Sequence, residues 1–280
     1  MRPNIWQNSF GLHSFSIAGD ANFYLFKALN LLIDIGAWHP ILASAQHIFL
    51  SHGHMDHIAG LFKLLSYKTS HKIQPPTIYA HPDMQPNIQT VCQALEQLNG
   101  LKTWDYHWQN LIPETHFTIG NNRLLQAFPL THHIHSNACL IWEQRKRLQE
   151  RYKGLDTQQI QRLVLEGAEV NDQILIPIIF YSGDTESSVF AIPELFNAEI
   201  CVLECTFWEP EYRSKANKFK HLHIMDILDV ASQFNNKTLI LTHISERYSI
   251  EFITNTAQKL QDLLPRSVQL KLDLPTIITT

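Results

Sequence analysis

The stretch His47-Ile48-Phe49-Leu50-Ser51-His52-Gly53-His54-Met55-Asp56-His57-Ile58 decides how the rest of the chain is read. Its first four residues form a short apolar run of strand character. A polar heptapeptide follows, and helical spacing then takes over at Ile58, Leu61, Phe62 and Leu65. Strand, polar loop, helix is the expected local order. In an extended loop, residues two apart point the same way, so His52 and His54 converge on one point. Asp56 and His57 start the helix, turned toward a second point nearby, and Gly53 removes a side chain where the backbone bends. Zn²⁺ accepts this mixture of imidazole and carboxylate. Asp56 also suits a helix N-cap, but capping explains neither three histidines nor their spacing.

Three later clusters share that placement just beyond an apolar strand: Thr131-His132-His133, Ser182-Gly183-Asp184-Thr185 and Leu241-Thr242-His243. Strand ends of this kind bring ligands from separate segments to one crevice. Each cluster alone has a bland reading. Any of His132, His133 and His135 suits a ligand, Asp184 suits a turn, and His243 suits a satisfied strand end. The sum is more informative: His52, His54, His57, His243 and one of His132, His133 and His135, with Asp56 and Asp184, are enough to hold two ions, one carboxylate bridging.

The 280 residues are 45% hydrophobic and 17% charged, the composition of a globular protein and not of a disordered or collagenous one. A formal charge of −4 argues against coating nucleic acid by net positive charge, while leaving room for a local basic patch. Sixteen histidines against 22 Lys+Arg is the unusual figure. The N-terminus shows no signal-peptide pattern, and no apolar run approaches the ~18 residues of a membrane span, so a cytoplasmic protein is expected. Cys92, Cys139, Cys201 and Cys205 have no zinc-finger or redox spacing and read as reduced thiols.

Strands are expected at His13–Ile17, Asn22–Phe26, Leu29–Ile35, Thr77–Ala80, Trp104–Trp108, Thr115–Ile119, Arg123–Phe128, Ala138–Trp142, Ile178–Tyr181, Ile200–Glu204 and Thr238–Leu241. Helices are expected at Gln85–Leu98, Thr157–Glu166, Ile224–Phe234 and Ile250–Leu264. Leu31-Leu32-Ile33-Asp34-Ile35-Gly36 reads as a buried strand ending in a polar turn. No repeat and no Gly/Ser-rich linker interrupts the chain, so one α/β domain over residues 1–280 is expected, with 143–171 a short charged insertion.

The pattern His-x-His-x-Asp-His, followed by one His, one Asp and one His at later strand ends, resembles the metallo-β-lactamase superfamily. Phe180-Tyr181-Ser182-Gly183-Asp184-Thr185, Val202-Leu203-Glu204-Cys205-Thr206-Phe207 and Leu241-Thr242-His243-Ile244-Ser245-Glu246-Arg247-Tyr248 are similar to ribonuclease Z, the tRNA 3′-processing endonuclease, in its short form. The resemblance runs from about Ser14 to Tyr248. It implies an αββα sandwich with His52, His54 and His132 on one Zn²⁺, Asp56, His57 and His243 on the other, and Asp184 bridging. Mn²⁺ or Fe suits the same ligands. Two ions roughly 3.5–4 Å apart generate a hydroxide near neutral pH and clamp both the attacking and the leaving oxygen of a phosphodiester. Asp56 is expected to orient that hydroxide as a base. By the same resemblance His221 is the acid for the departing ribose oxygen and Glu204 the carboxylate that orients it, with His223 an alternative to His221.

Precursor tRNA is the implied partner, and a homodimer the implied assembly. Arg247 and Tyr248 match a family motif and are candidate substrate contacts. Arg145 and Arg147, in a basic run with Lys146, Arg151 and Lys153, are candidates for phosphate contact, with solvated surface charge the plainer reading. Two departures from the family bear on the substrate. Ala138-Cys139 stands where many ribonucleases Z have Gly-Tyr, and residues 143–171 lack the Gly-Pro signature of the long tRNA-gripping arm. A hydrolase of a small phosphodiester or lactone is therefore the alternative, and a catalytically silent RNA-binding protein of the same fold the non-enzyme alternative. The Glu204–His221 pair favours phosphodiester chemistry, since lactone opening has less need of a proton donor.

Overall fold

Leu31, Leu32 and Ile33 send their side chains alternately into two different cores, Leu31 and Ile33 to one and Leu32 to the other. Strands covered on both faces need such continuous apolar runs, and the same pattern recurs in Ile200–Leu203 and Leu239–Leu241. A central core therefore lies between two sheets, and two outer cores lie between the sheets and their helices. The architecture is an αββα sandwich, seen in a computed structural model that describes residues 2–100 and 103–274.

The first sheet comprises β1 (Asn4–Ile5), β2 (Leu12–Ile17), β3 (Ala21–Phe26), β4 (Leu31–Ile35), β5 (His47–Phe49), β6 (Thr77–Ala80) and β7 (His107–Asn110), paired in that order. Its first pairings are antiparallel and those from β4 onward parallel. Helices α1 (Met55–Ser70) and α2 (Met84–Asn99) follow β5 and β6, with Leu61, Leu64, Leu65 and Ile88 facing the outer core. The second sheet comprises β8 (His116–Thr118), β9 (Arg123–Leu130), β10 (Ser136–Leu148), β11 (Asn171–Tyr181), β12 (Ile200–Glu204), β13 (Thr238–Thr242) and β14 (Gln269–Leu272). It repeats the scheme, antiparallel to β11 and parallel beyond it. Connecting helices are α3 (Thr157–Leu165), α4 (Pro193–Asn197), α5 (Arg213–Phe219), α6 (Ile224–Asp229) and α7 (Ile250–Leu263). The parallel strands point their C-terminal ends to one edge, where every polar cluster singled out in the sequence is found.

Three differences from the sequence expectations have physical causes. Within 143–171, expected as a short charged insertion, β10 continues to Leu148. Its partner β11 begins at Asn171, seven residues before the expected Ile178. Beyond Glu143, β10 loses its pairing with β9 and the two strands run on as a ribbon, joined at its tip by α3. A two-stranded ribbon buries little, so its residues are polar and carry no strand alternation. The strand expected at Trp104–Trp108 lies at His107–Asn110, because Trp104 turns into the outer core before the pairing starts. The helix expected over Ile224–Phe234 ends at Asp229 and gives way to a 3₁₀ turn at Ala231–Gln233. No described helix is long and apolar enough to cross a membrane.

Candidate active site

The loop from Ser51 to His54 leaves β5 and enters α1, whose start is fixed by close packing. A methyl group on Gly36 would lie 1.9 Å from the Asp56 carbonyl oxygen, and one on Gly60 2.5 Å from the Ala37 backbone. Only hydrogen fits at either position, so the first turn of α1 sits directly on the end of β4. That contact sets the position of Asp56 and His57.

The structure brings all seven sequence-selected residues together. Ligand atoms of His52, His54, His132 and Asp184 lie within 4.8 Å of one another, as do those of Asp56, His57 and His243. His54 Nδ1 is 3.0 Å from His52 Nε2 and 3.4 Å from His132 Nε2. Asp184 Oδ2 stands between the groups, 3.4 Å from His57 Nε2, 3.5 Å from His243 Nε2 and 3.6 Å from His52 Nε2. A tetrahedral ion with metal–nitrogen bonds of about 2.05 Å needs ligand atoms about 3.3 Å apart, which these edges match. Asp184 Oδ1 is buried with no hydrogen-bond partner, a cost that a cation would remove. The donors therefore fit divalent metal binding.

Protonation follows the surroundings. Burial lowers the pKa of His52, His54 and His132, so their imidazoles are neutral at neutral pH and offer lone pairs. Burial would raise Asp184, but His243, His57 and His52 hold it well below the usual carboxylate range. For His57, burial lowers the pKa while Asp184 and Asp34 raise it further, to a net value well above the usual histidine range. Asp56 is also raised by burial, but hydrogen bonds with His243 and His57 hold it well below its ordinary value. Its Oδ2 accepts from Gly19 N–H at 3.0 Å and Asn22 Nδ2 at 3.2 Å, which fixes the direction of the carboxylate.

The nitrogens of His52, His132, His57 and His243 that face away from the cluster are held. Ser51 Oγ lies 2.9 Å from His52 Nδ1, and the Lys220 carbonyl 3.1 Å from His132 Nδ1. His57 Nδ1 donates to Asp34 Oδ2 at 2.8 Å. Thr206 Oγ1 donates to Glu204 Oε2 at 2.7 Å, so it accepts from His243 Nδ1, 2.8 Å away, leaving Nε2 free to face the cluster. Outer contacts of this kind fix tautomer and ring direction.

Asp34 and Thr206 escaped the sequence reading. Asp34 is the extra residue of a β-bulge: Tyr24 pairs with Ile33 and Phe23 with Ile35, and Asp34 takes φ +54°. The bulge turns its carboxylate to Ser51 N–H and Oγ at 2.8 and 2.7 Å and to the Tyr181 hydroxyl at 2.7 Å, besides His57. A charge inside an apolar strand was the available signal. Thr206 carries no charge and left none.

His221 Nδ1 donates to Glu204 Oε1 at 3.0 Å, and the His221 ring lies 5.1 Å from that of His132 and 5.4 Å from that of His243. Burial lowers its pKa, but the Glu204 carboxylate raises it, to about 9. Glu204 is itself fixed by Thr185 N–H at 2.8 Å. His223, the alternative acid, is buried with Nε2 2.9 Å from the Glu209 carbonyl, and its Nδ1 caps α6 by accepting from Met225 N–H. That position excludes it from the cluster.

A cleft of about 560 Å³ opens over the cluster, lined by His54, His132, His221 and His243 with Phe219 and Arg247 among others. The Arg247 guanidinium stacks over the rings of Tyr212, Phe207 and Tyr248 at 4.9, 5.3 and 5.9 Å. Tyr248, expected to touch substrate, is instead buried with its hydroxyl accepting from Trp208 N–H, and it supports Arg247. Arg145 and Arg147 are not brought to the cleft. They lie on the ribbon nine and eleven residues along β10 from Ser136 at the site, roughly 30 Å or more at ~3.3 Å per residue. Arg145 pairs there with Glu143.

A family profile described as "Beta-lactamase superfamily domain" matches residues 35–244, which hold all the residues of the cluster. The chain belongs to the beta-lactamase superfamily. Within that superfamily it is 28% identical to tRNase Z TRZ1 of Arabidopsis thaliana over 254 residues, covering 89% of this chain and 90% of the relative. It is 27% identical to the same plant's chloroplastic tRNase Z TRZ2 over 271 residues, 95% of this chain and 76% of the relative. Among solved structures, the metallo-beta-lactamase fold protein YhfI from Bacillus subtilis superposes with a TM-score of 0.60 at 18% identity. The match covers 92% of this chain and 93% of that one. Members of the superfamily share the sandwich, and what this one acts on must be argued from its own site.

Proposed function

We propose that the chain is a metal-dependent hydrolase of the ribonuclease Z type, an endonuclease that removes the 3′ trailer from precursor tRNA. The observation that carries this reading is the His221–Glu204 pair at 3.0 Å beside the ligand cluster. A phosphodiester leaves an alkoxide that needs a proton, and a histidine kept charged by a buried carboxylate supplies one. The two plant relatives, tRNases Z by name, support tRNA as the carrier of that phosphodiester.

In this reading His52, His54 and His132 would hold one Zn²⁺ and Asp56, His57 and His243 the other, with Asp184 shared between the two sets. Mn²⁺ or Fe would suit the same donors. Divalent ions held there would supply Lewis acidity for the phosphate oxygens and lower the pKa of water. His221 gives its proton to the departing ribose oxygen, Glu204 keeps the imidazole oriented and charged, and Thr206 ties Glu204 to His243. Arg247, held rigid by its aromatic rings, meets the phosphate or base next to the cut. The ribbon with Arg145 and Arg147 contacts tRNA far from the cut.

A single catalytic domain, a homodimer and a cytoplasmic location complete the reading. The four cysteines, all free and buried, accord with a reducing compartment. The test is to incubate purified protein and Zn²⁺ or Mn²⁺ with precursor tRNA and, separately, with bis(p-nitrophenyl) phosphate. Cleavage at the trailer junction is expected. Turnover of the small ester with the tRNA left intact would defeat the tRNA assignment and favour a small phosphodiester.

A further inference from the structure

A second group of metal-binding side chains lies outside the catalytic cleft. His81 and Asp83 sit between the end of β6 and the start of α2, and His135 sits three residues after His132 in the loop before β10. Asp83 Oδ2 is 3.3 Å from His135 Nε2 and 3.6 Å from His81 Nδ1, and all three ligand atoms lie within 4.8 Å of one another. Two of these edges already have the length that bonds of about 2.1 Å require.

Two further observations set this group apart from ordinary surface polarity. Asp83 occupies the N-cap position of α2, yet its carboxylate makes no cap hydrogen bond. It turns instead toward the two imidazoles, giving up a contact that normally stabilises a helix start. The rings of His81 and His135 stack at 4.1 Å with 9° between their planes, an arrangement two imidazolium ions would oppose. Burial and the neighbouring His135 lower the pKa of His81, against the pull of Asp83, so its lone pair is available at neutral pH. His81 Nδ1 accepts only a long 3.3 Å hydrogen bond from Asp83 N–H.

We propose that His81, Asp83 and His135 form a peripheral binding site for one divalent transition-metal ion, of the two-histidine, one-carboxylate kind with open positions for water. The ligand atoms already lie within 4.8 Å of one another, and a side-chain rotation of the exposed His135 brings its Nε2 to a common point with His81 Nδ1 and Asp83 Oδ2. The positive end of α2 opposes a cation, and the Asp83 charge offsets it. Met84 and Ile134, the neighbours of Asp83 and His135, both pack on Gly53 between His52 and His54. An ion here therefore clips the loop that delivers His132 to the strand and helix behind it.

The test measures Zn²⁺ bound at equilibrium dialysis to the whole purified chain, with no substrate present. Wild type takes up one equivalent more than either His135→Ala or Asp83→Asn, while His116→Ala, an exposed histidine elsewhere, matches wild type. Equal uptake by wild type and both site variants overturns the proposal. Uptake is read without substrate or turnover, so its outcome is separable from that of the nuclease reading. Both replaced side chains are exposed, and circular dichroism confirms that the variants are folded.

Discussion

Asp34 Oδ2 lies 2.8 Å from His57 Nδ1 across 23 residues of chain, and both side chains are fully buried. The carboxylate accepts that N–H together with three other donors, so it points His57 Nε2 at the cluster and supplies a negative charge behind it. Asp34→Asn keeps the shape and removes the charge. It is expected to weaken zinc affinity about 10–100-fold, the usual effect of losing such a partner. A competition titration with a chromophoric chelator measures it, and unchanged affinity would show that His57 needs no such support.

Thr206 links the acid to the metal cluster through one hydroxyl, 2.7 Å from Glu204 Oε2 and 2.8 Å from His243 Nδ1. Thr206→Val leaves both groups buried without that partner, a loss of about 1–3 kcal/mol in stability. Urea denaturation reads the stability. Hydrolysis of bis(p-nitrophenyl) phosphate is expected to fall in the same variant, through the loosened His243 and Glu204.

Gly36→Ala tests the packing that places Asp56. The added carbon would sit 1.9 Å from the Asp56 carbonyl oxygen and 2.7 Å from Asn22 N, so backbone must move. A destabilisation of about 1–3 kcal/mol or more is expected, with reduced zinc content. Wild-type stability and zinc content together would contradict the close approach of α1 to β4.

Much of this site was legible because its parts are local. His52 to His57 lie within six residues, and their spacing alone states where they point. His132, Asp184 and His243 were legible as strand ends. Asp34 was not, because strand alternation cannot show a bulge, and the bulge is what re-aims its carboxylate. The ribbon was missed for a related reason. Gln144–Leu148 pairs with β11 alone, so burial imposes no pattern that would mark it as strand. Tyr248 was misplaced because its motif says nothing of which side of Arg247 it occupies.

Asp273 gives a pH test at a buried carboxylate outside the ligand cluster. It is fully buried, and burial raises its pKa from 3.8 to about 6 against the lowering effect of hydrogen bonds from Asn4, Ser14 and Thr242. Between those values the folded chain keeps a proton that the unfolded chain releases. Stability therefore falls as pH rises through this window, and the full penalty, on the order of 3 kcal/mol, is present above it. Asp273→Asn removes the penalty. The thermal midpoint of the variant relative to wild type is expected to rise between about pH 4.5 and pH 7.5. An offset that does not change with pH would show that Asp273 titrates alike in both states.

In the proposed reaction His221, oriented by Glu204, protonates the leaving oxygen next to a ligand cluster it does not help to hold. Cleavage of precursor tRNA by His221→Ala, with zinc content determined on the same sample, tests it directly. The rate is expected to fall by about 10²–10⁴, the range typical of losing a general acid, with bound zinc equal to wild type. A rate close to wild type, or loss of zinc along with activity, would contradict that role.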